Sequence, residues 1–449
     1  MIMNKLFGTD GIRGVANKDL TPELAMAVGR AAAVVAVNGG EPGRVVIGRD
    51  TRLSGEMLER AFMAGVMSTG AEVLRLGIIP TPAVAYLTRK LGADAGCVIS
   101  ASHNPVDDNG IKLFNRSGFK FTEEEEEAVE KLVPSGAYAG EHPSGADVGE
   151  LSDAGEQGRR LYAEHALKVL PVDLTGLKIA LDAAYGAAYQ MGGDIFRKAG
   201  AEVITIGDEP RGDLINVDCG STNPLCIRDE VVAREGFFGL AFDGDADRVI
   251  AVDEDGNILD GDYIMAILAK YIKEKGSLKA DTLVSTVMAN CGFDLGMEEL
   301  GINVIKTDVG DRFVLKELLD QDLNFGGEQS GHVIFLDHNT TGDGIITGLM
   351  LAAIKAETGR PLSELKNVMS KLPQVLLNVR VADKRKLGEA VAIWSEVEKS
   401  ELSLGGRGRV LIRTSGTEPL VRVMVEADTE GAAGRIAGHL AAIVEKELS

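Results

Sequence analysis

Three aspartates stand at alternate positions in one short segment, Asp243-Gly244-Asp245-Ala246-Asp247-Arg248. Carboxylates with this spacing in a glycine-containing loop can converge on one hard divalent cation and leave the rest of its octahedral shell to water or a phosphate oxygen. Magnesium is the cation that this pattern favours. A calcium EF-hand is the alternative, because Glu254 is twelfth from Asp243, but Arg248 stands sixth, where that loop needs glycine, and the flanks are predicted strands. A solvated acidic turn that binds no metal also stays open.

A second segment, from Val98 to Pro105, brings a hydroxyl to a tight turn. A predicted strand runs into Ser100-Ala101-Ser102-His103-Asn104-Pro105, where asparagine and proline favour the turn. The hydroxyl of Ser102 could act as a nucleophile there. His103 is a poor candidate for its base, because adjacent side chains on an extended backbone diverge. The GxSxG elbow of a serine hydrolase is absent, and an ordinary loop is the alternative interpretation.

Two further segments offer groups suited to phosphates and polyols. Arg413-Thr414-Ser415-Gly416-Thr417, with Arg422 beyond it, combines turn amides, hydroxyls and two guanidinium groups that could grip a phosphate. A solvated turn between two strands is the alternative. The segment from Gly326 to His332 carries a carboxylate, a hydroxyl and an imidazole at alternate positions, from which they could hydrogen-bond a polyol, although this motif is weak by itself. Those side chains belong to Glu328, Ser330 and His332.

Composition limits the classes of partner. The 449 residues include 47 Lys and Arg against 68 Asp and Glu, a formal net charge of −21. That balance argues against a general nucleic-acid binder, because no basic field exists to displace counterions from a phosphate backbone. No apolar stretch approaches the roughly 20 residues that span a bilayer, and the first eight residues lack the apolar core of a signal peptide. The four cysteines lack zinc-site spacing, so we expect reduced thiols in a cytoplasmic protein.

The elements that must position these groups recur three times in the order strand, helix, strand. Each copy begins with a short apolar strand, at 44–48, 177–182 and 282–287. Each then leads through a helical pattern to a second strand that starts at a glycine, at 70–77, 200–207 and 301–306. Short buried strands joined by helices favour parallel pairing with right-handed crossovers. The sequence therefore predicts an α/β protein with three related domains, and one large α/β sheet is the alternative.

Local signals agree with this organisation. Thr21-Pro22 and Thr81-Pro82 each place a capping hydroxyl before a proline at the first helical position. The acidic run from Glu123 to Glu127 is typical of a solvated first helical turn, which the helix dipole favours. A polar segment at 134–145 is predicted to connect the first two domains. After Gln374, alternating apolar residues, a helix and two strands predict a small α+β unit.

Together the four chemical segments, in this order, resemble the α-D-phosphohexomutase family over essentially the whole chain. The segment Phe7-Gly8-Thr9-Asp10-Gly11-Ile12-Arg13-Gly14, the Ser-Ala-Ser-His-Asn-Pro turn and the Gly-Glu-Gln-Ser-Gly-His segment are most similar to the branch that acts on glucosamine phosphates. The resemblance implies three α/β domains with mixed sheets and a last α+β domain similar to the TATA-binding protein, around a central cleft. The implied boundaries are 1–155 for a phosphoserine domain, 156–255 for a metal-binding domain, 256–370 for a sugar-binding domain and 371–449 for a phosphate-binding domain.

The resemblance also implies a role for each site residue. Ser102 would carry a phosphoryl group, and magnesium would be held by a phosphoserine oxygen together with Asp243, Asp245 and Asp247. Sugar hydroxyls would be contacted by Glu328 and Ser330, and the nonreacting phosphate by Arg413, Ser415, Gly416, Thr417 and Arg422. The positions implied to line the reacting centre are Arg13, His103, Lys112, Arg248, Lys306 and His332. Two departures from the family pattern, Ala246 for a common glycine and Thr414 for a frequent proline, remove no ligand.

These roles imply a phosphosugar mutase of the isomerase class. Phosphoserine would donate to the free hydroxyl of a sugar monophosphate, and the resulting hexosamine 1,6-bisphosphate, both intermediate and activator, would turn round before its other phosphate returns to Ser102. Lys306 and His332 are the candidate acid or base, and the candidate stabilisers of the transferring group are Arg13 and Arg248. We predict interconversion of glucosamine 6-phosphate and glucosamine 1-phosphate, which feeds amino-sugar nucleotide synthesis.

Other functions stay open at this stage. Within the family, the alternative is a phosphomannomutase or a phosphoglucomutase. Outside it, the alternatives are a noncatalytic calcium- or phosphosugar-binding sensor and a phosphatase. The expected partner is a phosphosugar, with neither nucleic acid nor membrane, and a homodimer stays open.

Overall fold

The computed structural model describes residues 5–8, 10–37, 43–135, 143–415 and 419–449. Thr9 of the N-terminal motif, residues 136–142 of the predicted connection, and Gly416 and Thr417 of the predicted phosphate segment lie outside these ranges. The chain divides into two compact units, Met1–Val287 with Ile305–Lys366, and Met288–Val304 with Asn367–Ser449. Within the described ranges, no helix is both long enough and apolar enough to cross a membrane.

The first unit begins with a six-stranded mixed sheet. Its elements are β1 (Ile12–Val15), α1 (Pro22–Val37), β2 (Arg44–Arg49), α2 (Leu53–Met67), β3 (Glu72–Ile78), α3 (Thr81–Lys90), β4 (Ala95–Ile99), β5 (Asp108–Asn115), α4 (Glu123–Ser135), β6 (Leu151–Asp153) and α5 (Gly155–Val169). The strand order is β1-β5-β4-β2-β3-β6. Strand β2 pairs in parallel with β3 and β4, whereas β5 runs antiparallel to β1 and β4. All five residues of β4 are buried, as its continuous apolar run leads one to expect for a strand covered on both faces.

A second sheet carries the three aspartates on a hairpin. Its elements are β7 (Lys178–Asp182), α6 (Gly192–Lys198), β8 (Glu202–Ile206), α7 (Leu225–Val232), β9 (Phe237–Phe242), β10 (Val249–Val252) and β11 (Ile258–Leu259), in the strand order β11-β10-β9-β7-β8. Strand β7 pairs in parallel with β8 and β9, and β9 pairs antiparallel with β10. Residues 243–248 are the connection between β9 and β10, so the aspartate segment is flanked by strands, as predicted.

The remaining elements form a third sheet and a C-terminal α+β unit. Between β11 and the C-terminal unit lie α8 (Gly261–Glu274), β12 (Thr282–Thr286), α9 (Cys291–Glu299), β13 (Asn303–Thr307), α10 (Asp311–Asp320), β14 (Phe325–Gly327), β15 (Val333–Phe335), α11 (Gly344–Thr358) and α12 (Leu362–Leu365). The third sheet has the order β13-β12-β14-β15, and the turn between β14 and β15 carries residues 328–332. The C-terminal elements are β16 (Gln374–Arg380), α13 (Val391–Leu404), β17 (Gly408–Thr414), β18 (Leu420–Ala427) and α14 (Glu430–Leu448), with antiparallel strands in the order β16-β18-β17.

This architecture confirms the predicted fold class. The three strand-helix-strand repeats correspond to β2-α2-β3, β7-α6-β8 and β12-α9-β13, and an α+β unit follows them. The antiparallel strands β1, β5, β10 and β15 make the sheets mixed instead of purely parallel. Helix α4 continues through Pro134 to Ser135, so the connecting segment begins later than predicted.

The two predicted threonine caps have different outcomes. The backbone N–H of Leu24 donates to Thr21 Oγ1 at 3.3 Å, so Thr21 caps α1 as expected. The prediction for Thr81 is wrong, because α3 begins at Thr81 itself with Pro80 as its N-cap. The Thr81 hydroxyl instead donates to Asp245 Oδ2 at 2.7 Å, a partner 164 residues away in the chain. A hydroxyl that donates to a carboxylate forms a charge-assisted hydrogen bond.

Helices α1 and α2 approach each other so closely that glycine is needed at their contact. A Cβ atom on Gly65 of α2 would lie 2.0 Å from the backbone oxygen of Met26, and one on Gly29 of α1 would lie 2.3 Å from that of Phe62. These helices cover one face of the first sheet and bury Val28, Leu58 and other apolar residues against it. The close approach therefore helps to hold the sheet whose β4 leads into the Ser102 turn.

We expect Gly65→Ala to destabilise the protein by about 1–3 kcal/mol, because the backbone of α1 must move to accept the methyl group. Gly55→Ala in the same helix is the matched control. Its Cβ would meet nothing nearer than Arg49 Cδ at 3.4 Å, so its effect should be neutral or a gain of at most about 1 kcal/mol. Urea unfolding of both variants measures the difference, and equal effects would refute the packing argument.

Candidate active site

The Ser102 turn follows directly from strand β4 and is held in a left-handed backbone conformation. Ser102 has a φ of 53° and is 1% exposed. Its Oγ donates a hydrogen bond to Asp243 Oδ2 at 2.6 Å. The nucleophile candidate and the first aspartate, which are 141 residues apart in sequence, are thus in direct contact.

His103 lies beside the Ser102 hydroxyl, which corrects the expectation that these side chains diverge. The His103 Nδ1 atom is 3.1 Å from Ser102 Oγ. The expectation assumed an extended backbone, whereas the positive φ of Ser102 turns the next residue back toward the hydroxyl. Burial and the neighbouring Arg248 charge lower the pKa of His103 to about 4. The imidazole is therefore neutral near pH 7 and can exchange a hydrogen bond with the serine oxygen.

The three aspartates converge into one buried cluster. Asp243, Asp245 and Asp247 each offer a carboxylate oxygen, and these oxygens all lie within 4.8 Å of one another. Among the residues that the structure describes, Asp245 Oδ1 and Asp247 Oδ1 are buried and have no hydrogen-bond partner. Buried carboxylate oxygens without partners are costly unless a cation binds them. The donor set is all oxygen, which suits magnesium or another hard divalent cation.

Electrostatics within the cluster support the same interpretation. Burial, followed by the charges of Asp247 and Asp245, raises the pKa of Asp243 well above its usual range. Burial also acts to raise the pKa of Asp245, but the Lys112 charge and hydrogen bonds from Thr81 and Lys112 lower it below its usual range. Lys112 and Arg248 together place two positive charges beside three carboxylates, so the ionised cluster keeps a net negative charge that a divalent cation would neutralise.

Lys112 is the cation that lies nearest to the cluster among the described residues, since Arg248 Nε is 3.9 Å from Asp247 Oδ1. Its Nζ on β5 lies 2.9 Å from Asp245 Oδ2, 3.4 Å from Asp247 Oδ2 and 3.2 Å from Asp10 Oδ2. Burial alone would lower the pKa of this ammonium group, but these carboxylates together raise it well above its usual value. Lys112 therefore stays protonated and links the cluster to the N-terminal motif.

The loops around the cluster are conformationally strained. Non-glycine residues with positive φ between 52° and 58° occur in four neighbouring loops and include Ser102, Ala184, Tyr185, Asn216 and Ala246. The loops contact one another directly, since Asn216 Nδ2 donates to the Ser102 carbonyl at 2.8 Å and Ala187 N–H donates to that of Gly244 at 2.8 Å. Such conformations persist only when the surrounding contacts enforce them, and they concentrate at functional sites.

A cavity of about 490 Å³ opens beside this cluster. Its wall is formed by Lys5, Leu6, Gly8, Asp10, Gly11, Arg13, His103, Asp247, Arg248, Val309, Gly310, Asp311, Glu328 and His332. Five of the residues predicted for the reacting centre or the sugar thus face one hollow: Arg13, His103, Arg248, Glu328 and His332. The described lining does not include Lys306 on β13 or Ser330, although the Ser330 Oγ atom is buried and has no hydrogen-bond partner among the described residues.

The sugar-binding candidate Glu328 and the reacting-centre candidate His332 both contact the start of α10. Glu328 Oε1 accepts a hydrogen bond from the Gly310 N–H at 3.1 Å, and burial raises the pKa of this carboxyl group. His332 Nε2 lies 3.5 Å from Asp311 Oδ2. The ring of His332 is packed so tightly that a Cβ on Gly342 would lie 2.4 Å from it. Both side chains are therefore fixed on the cavity wall before any ligand binds.

Two charged residues were not predicted from the sequence: Asp311, which lies on the cavity wall, and Lys120, which pairs with it. Lys120 forms ion pairs with Asp10 and Asp311, and so joins the N-terminal motif to α10. Burial alone would lower the pKa of Lys120, but Asp10 and Asp311 raise it. Asp311 had a usable signal, since it starts a helix just after a strand of an α/β sheet, where ligands commonly bind. Lys120 had none.

The acidic run on α4 is only partly solvated. Glu126 is 5% exposed and accepts a hydrogen bond from Arg312 of α10 at 2.8 Å. The interpretation of a fully solvated helical turn is therefore wrong for Glu126, because α10 packs over this position. The sequence could not show that a distant helix supplies the counter-charge.

In the second unit, the predicted phosphate segment brings cations together. Arg413 on β17 stands directly opposite Arg422 on β18, a pairing of like charges that is unfavourable unless an anion binds. The Arg422 Nε atom is buried and has no hydrogen-bond partner in the described part of the chain. Ser415 is buried, and its carbonyl accepts a hydrogen bond from Lys384 Nζ at 2.6 Å. Lys384, which the sequence analysis did not select, adds a third cation to this turn.

Comparisons with known proteins identify the class to which this fold and site belong. Four models described as phosphoglucomutase/phosphomannomutase match the chain: α/β/α domain I at 4–139, domain II at 160–256, domain III at 260–372 and the C-terminal domain at 376–443. The chain belongs to the phosphoglucomutase/phosphomannomutase family, which confirms the resemblance seen in the sequence.

Similar full-length proteins carry a narrower name. The phosphoglucosamine mutase of Pelotomaculum thermopropionicum is 52% identical over 99% of this chain and 100% of its own, and that of Brevibacillus brevis is 53% identical over 97% and 98%. Among solved structures, a phosphoglucomutase/phosphomannomutase family protein of Burkholderia thailandensis has a TM-score of 0.80 at 24% identity over 100% of this chain and 98% of its own. Aspergillus fumigatus N-acetylphosphoglucosamine mutase, solved with GlcNAc-6P and magnesium, has a TM-score of 0.67 at 19% identity over 99% and 96%.

We expect a divalent cation to stabilise the protein through the aspartate cluster. Adding magnesium to metal-free protein should raise the melting temperature by several degrees, since a ligand at 100 times its Kd contributes about 2.7 kcal/mol. Asp247→Asn should abolish that rise, because it removes one of the converging carboxylates. Glu124→Gln, in an exposed part of the acidic turn on α4, is the control and should respond as wild type does. An equal rise in Asp247→Asn would place the cation elsewhere.

Proposed function

We propose that this protein is a phosphosugar mutase that interconverts glucosamine 6-phosphate and glucosamine 1-phosphate. The observation that carries the proposal is the 2.6 Å contact between Ser102 Oγ and a buried cluster of three carboxylates, beside a cavity with arginine, histidine and carboxylate groups on its wall. Relatives about half identical over the whole chain and named phosphoglucosamine mutases support the choice of sugar.

Phosphoryl transfer would proceed in two half-reactions that use the same serine. In the first, the bond between phosphorus and Ser102 Oγ breaks, a bond from phosphorus to the free sugar hydroxyl forms, and the hydroxyl proton passes through a base to Ser102 Oγ. In the second, the bond between the other phosphorus and its sugar oxygen breaks, a bond from that phosphorus to Ser102 Oγ forms, and the Ser102 proton passes through an acid to the sugar oxygen. The phosphoenzyme is restored, and the net change is the position of the phosphate on the sugar.

The aspartate cluster would hold the metal of the reaction. Asp243, Asp245 and Asp247 have the oxygen donors and the excess negative charge that magnesium requires. When bound, magnesium would offset charge on the transferring phosphoryl group. Lys112 remains beside Asp245 and Asp247 and supplies a permanent positive charge at the same place.

The cavity wall would bind and orient the sugar and handle its proton. Arg13 and Arg248 face the cavity and are suited to stabilise the transferring group. We assign the proton transfer to His332, because its ring lies on the wall, while Lys306 is the second candidate. Glu328 and Ser330 would bind sugar hydroxyls. The nonreacting phosphate is assigned to Arg413, Ser415, Gly416, Thr417 and Arg422, and the facing arginines of that set support the assignment.

Ser102→Ala should lose both the phosphoenzyme and turnover. Incubation with glucosamine 1,6-bisphosphate should add one phosphoryl group to the wild-type protein by intact mass and none to the variant. Turnover should fall by at least about 10³-fold, because the group that accepts and returns the phosphoryl is missing. Ser117→Ala is the control, since Ser117 is an exposed serine in the same domain.

Two results would contradict the proposed mutase activity. Cation or sugar-phosphate binding with no turnover by wild type would favour a sensor. Steady release of inorganic phosphate without isomerised product would favour a phosphatase.

We expect kcat/KM for glucosamine 6-phosphate to exceed that for mannose 6-phosphate and glucose 6-phosphate by about tenfold or more. Binding sites that hydrogen-bond a polar substituent discriminate strongly against analogues that lack it. Parallel assays of the three sugars with one enzyme preparation measure the ratio. A preference for mannose phosphate above about tenfold would make the protein a phosphomannomutase of the same family.

A further inference from the structure

Arg52 is a fully buried arginine beneath the nucleophile turn, and no part of it lines the cavity. It stands between the end of β2 and the start of α2. Its side chain forms an ion pair with Asp50, and both side chains are 0% exposed. An arginine in such a place must satisfy all of its donors internally, because a buried guanidinium group without partners is strongly destabilising.

The acceptors of Arg52 are almost all in the Ser102 turn. Its Nη2 donates to the carbonyls of Ser102 at 3.0 Å and Asn104 at 2.8 Å. Its Nη1 donates to the carbonyls of Pro105 and of Asp108, the latter at 3.0 Å. Its Nε donates to Asp50 Oδ2 at 3.0 Å. Five N–H donors, the full complement of a guanidinium group, thus meet five acceptors, of which three are backbone carbonyls of the turn and a fourth is the carbonyl of Asp108 at the start of β5.

A second set of contacts closes this network around the backbone of Ser102. The Ser102 N–H donates to Ser100 Oγ at 2.9 Å, and Ser100 Oγ donates to Asp50 Oδ2 at 2.6 Å. Asp50 Oδ1 accepts the backbone N–H of Arg52 at 2.8 Å. Both polar groups of the Ser102 backbone are therefore tied, directly or through Ser100, to the Asp50–Arg52 pair.

We propose that Arg52 is a positioning residue for phosphoryl transfer, which holds the Ser102 turn in the left-handed conformation that keeps Oγ at the aspartate cluster. This inference rests on the proposed mutase function. The serine must return to one place whether it is free or carries a phosphoryl group. Strand β4 ends at Ile99 and β5 begins at Asp108, and between them the arginine adds hydrogen bonds to the carbonyls of the turn.

Lysine could not take this role. An ammonium group has three donors around a single atom, whereas the planar guanidinium group spans four carbonyls with a fixed fork. Arg52→Lys keeps the positive charge beside Asp50 but leaves some of the turn carbonyls without donors. The turn would then relax away from the strained φ of Ser102, and Oγ would move relative to Asp243. Misplacement of a reacting group by about 1 Å can cost about 10² in rate.

The test compares Arg52→Lys with wild type in a single turnover. Sugar 1,6-bisphosphate is mixed with dephosphorylated enzyme, and Ser102 phosphorylation is followed by intact mass. We expect the rate constant of transfer to fall by about 10²-fold and the KM for glucosamine 6-phosphate to stay within about threefold. A merely structural role would lower the fraction of molecules that react but leave the rate constant of those molecules unchanged.

Arg75→Lys is the matched control. Arg75 lies in the same domain and also donates to a buried carboxylate, that of Glu59, at 2.8 Å, but it does not contact the turn. Its variant should transfer at the wild-type rate. A folded Arg52→Lys protein whose transfer rate constant lies within about threefold of wild type overturns the inference.

If Arg52→Lys does not fold, Ser100→Ala is the second variant for the same single-turnover measurement. It removes the link between the Ser102 N–H and Asp50 while the turn keeps its arginine. We expect a transfer rate constant about tenfold lower with KM unchanged, and an unchanged rate constant overturns the inference. Failure of the proposed function looks different, because wild type itself would then take no phosphoryl group from the bisphosphate.

Discussion

Everything at this site depends on burying three carboxylates next to one serine oxygen. Asp243, Asp245 and Asp247 lie buried within reach of one another, and among the described residues the cations that contact them are Lys112 and Arg248. Buried carboxylate oxygens without hydrogen-bond partners favour the binding of a cation. The excess negative charge of the cluster favours a bound cation. That cation would in turn offset the negative charge of a phosphoryl group transferred at Ser102.

The scaffold meets this constraint with rigid loops at the ends of buried strands. Ser102 follows strand β4, the three aspartates lie on the β9–β10 hairpin, and Lys112 lies on β5. The backbone departs from regular geometry at Ser102, and hydrogen bonds from Arg52 and from Asn216 of another loop hold the Ser102 carbonyl. The precision of the site therefore comes from contacts between loops that are far apart in the chain.

Several features of this scaffold could be predicted because they are local. The three repeats, the change of character after Gln374 and the strands around the aspartate segment follow from hydrophobic periodicity and turn residues. Two of the errors concern side chains whose partner is distant in the chain. Thr81 was expected to cap its own helix and instead binds Asp245; Glu126 was expected in solvent and meets Arg312. His103 was expected to point away from Ser102, because no sequence pattern indicates the positive φ that the structure has at Ser102.

The sequence by itself determined the helices and strands, the class of fold, the family and the segments that carry chemistry. Each of these depends on residues within a few positions of one another, or on a short motif that can be recognised in the sequence. Only the tertiary structure decided which side chains meet. The contact of Ser102 with Asp243, the pairing of Lys120 with Asp10 and Asp311, and the four carbonyls held by Arg52 join residues about 50 to 190 positions apart. Such contacts are set by sheet order and loop packing, and no local propensity contains that information.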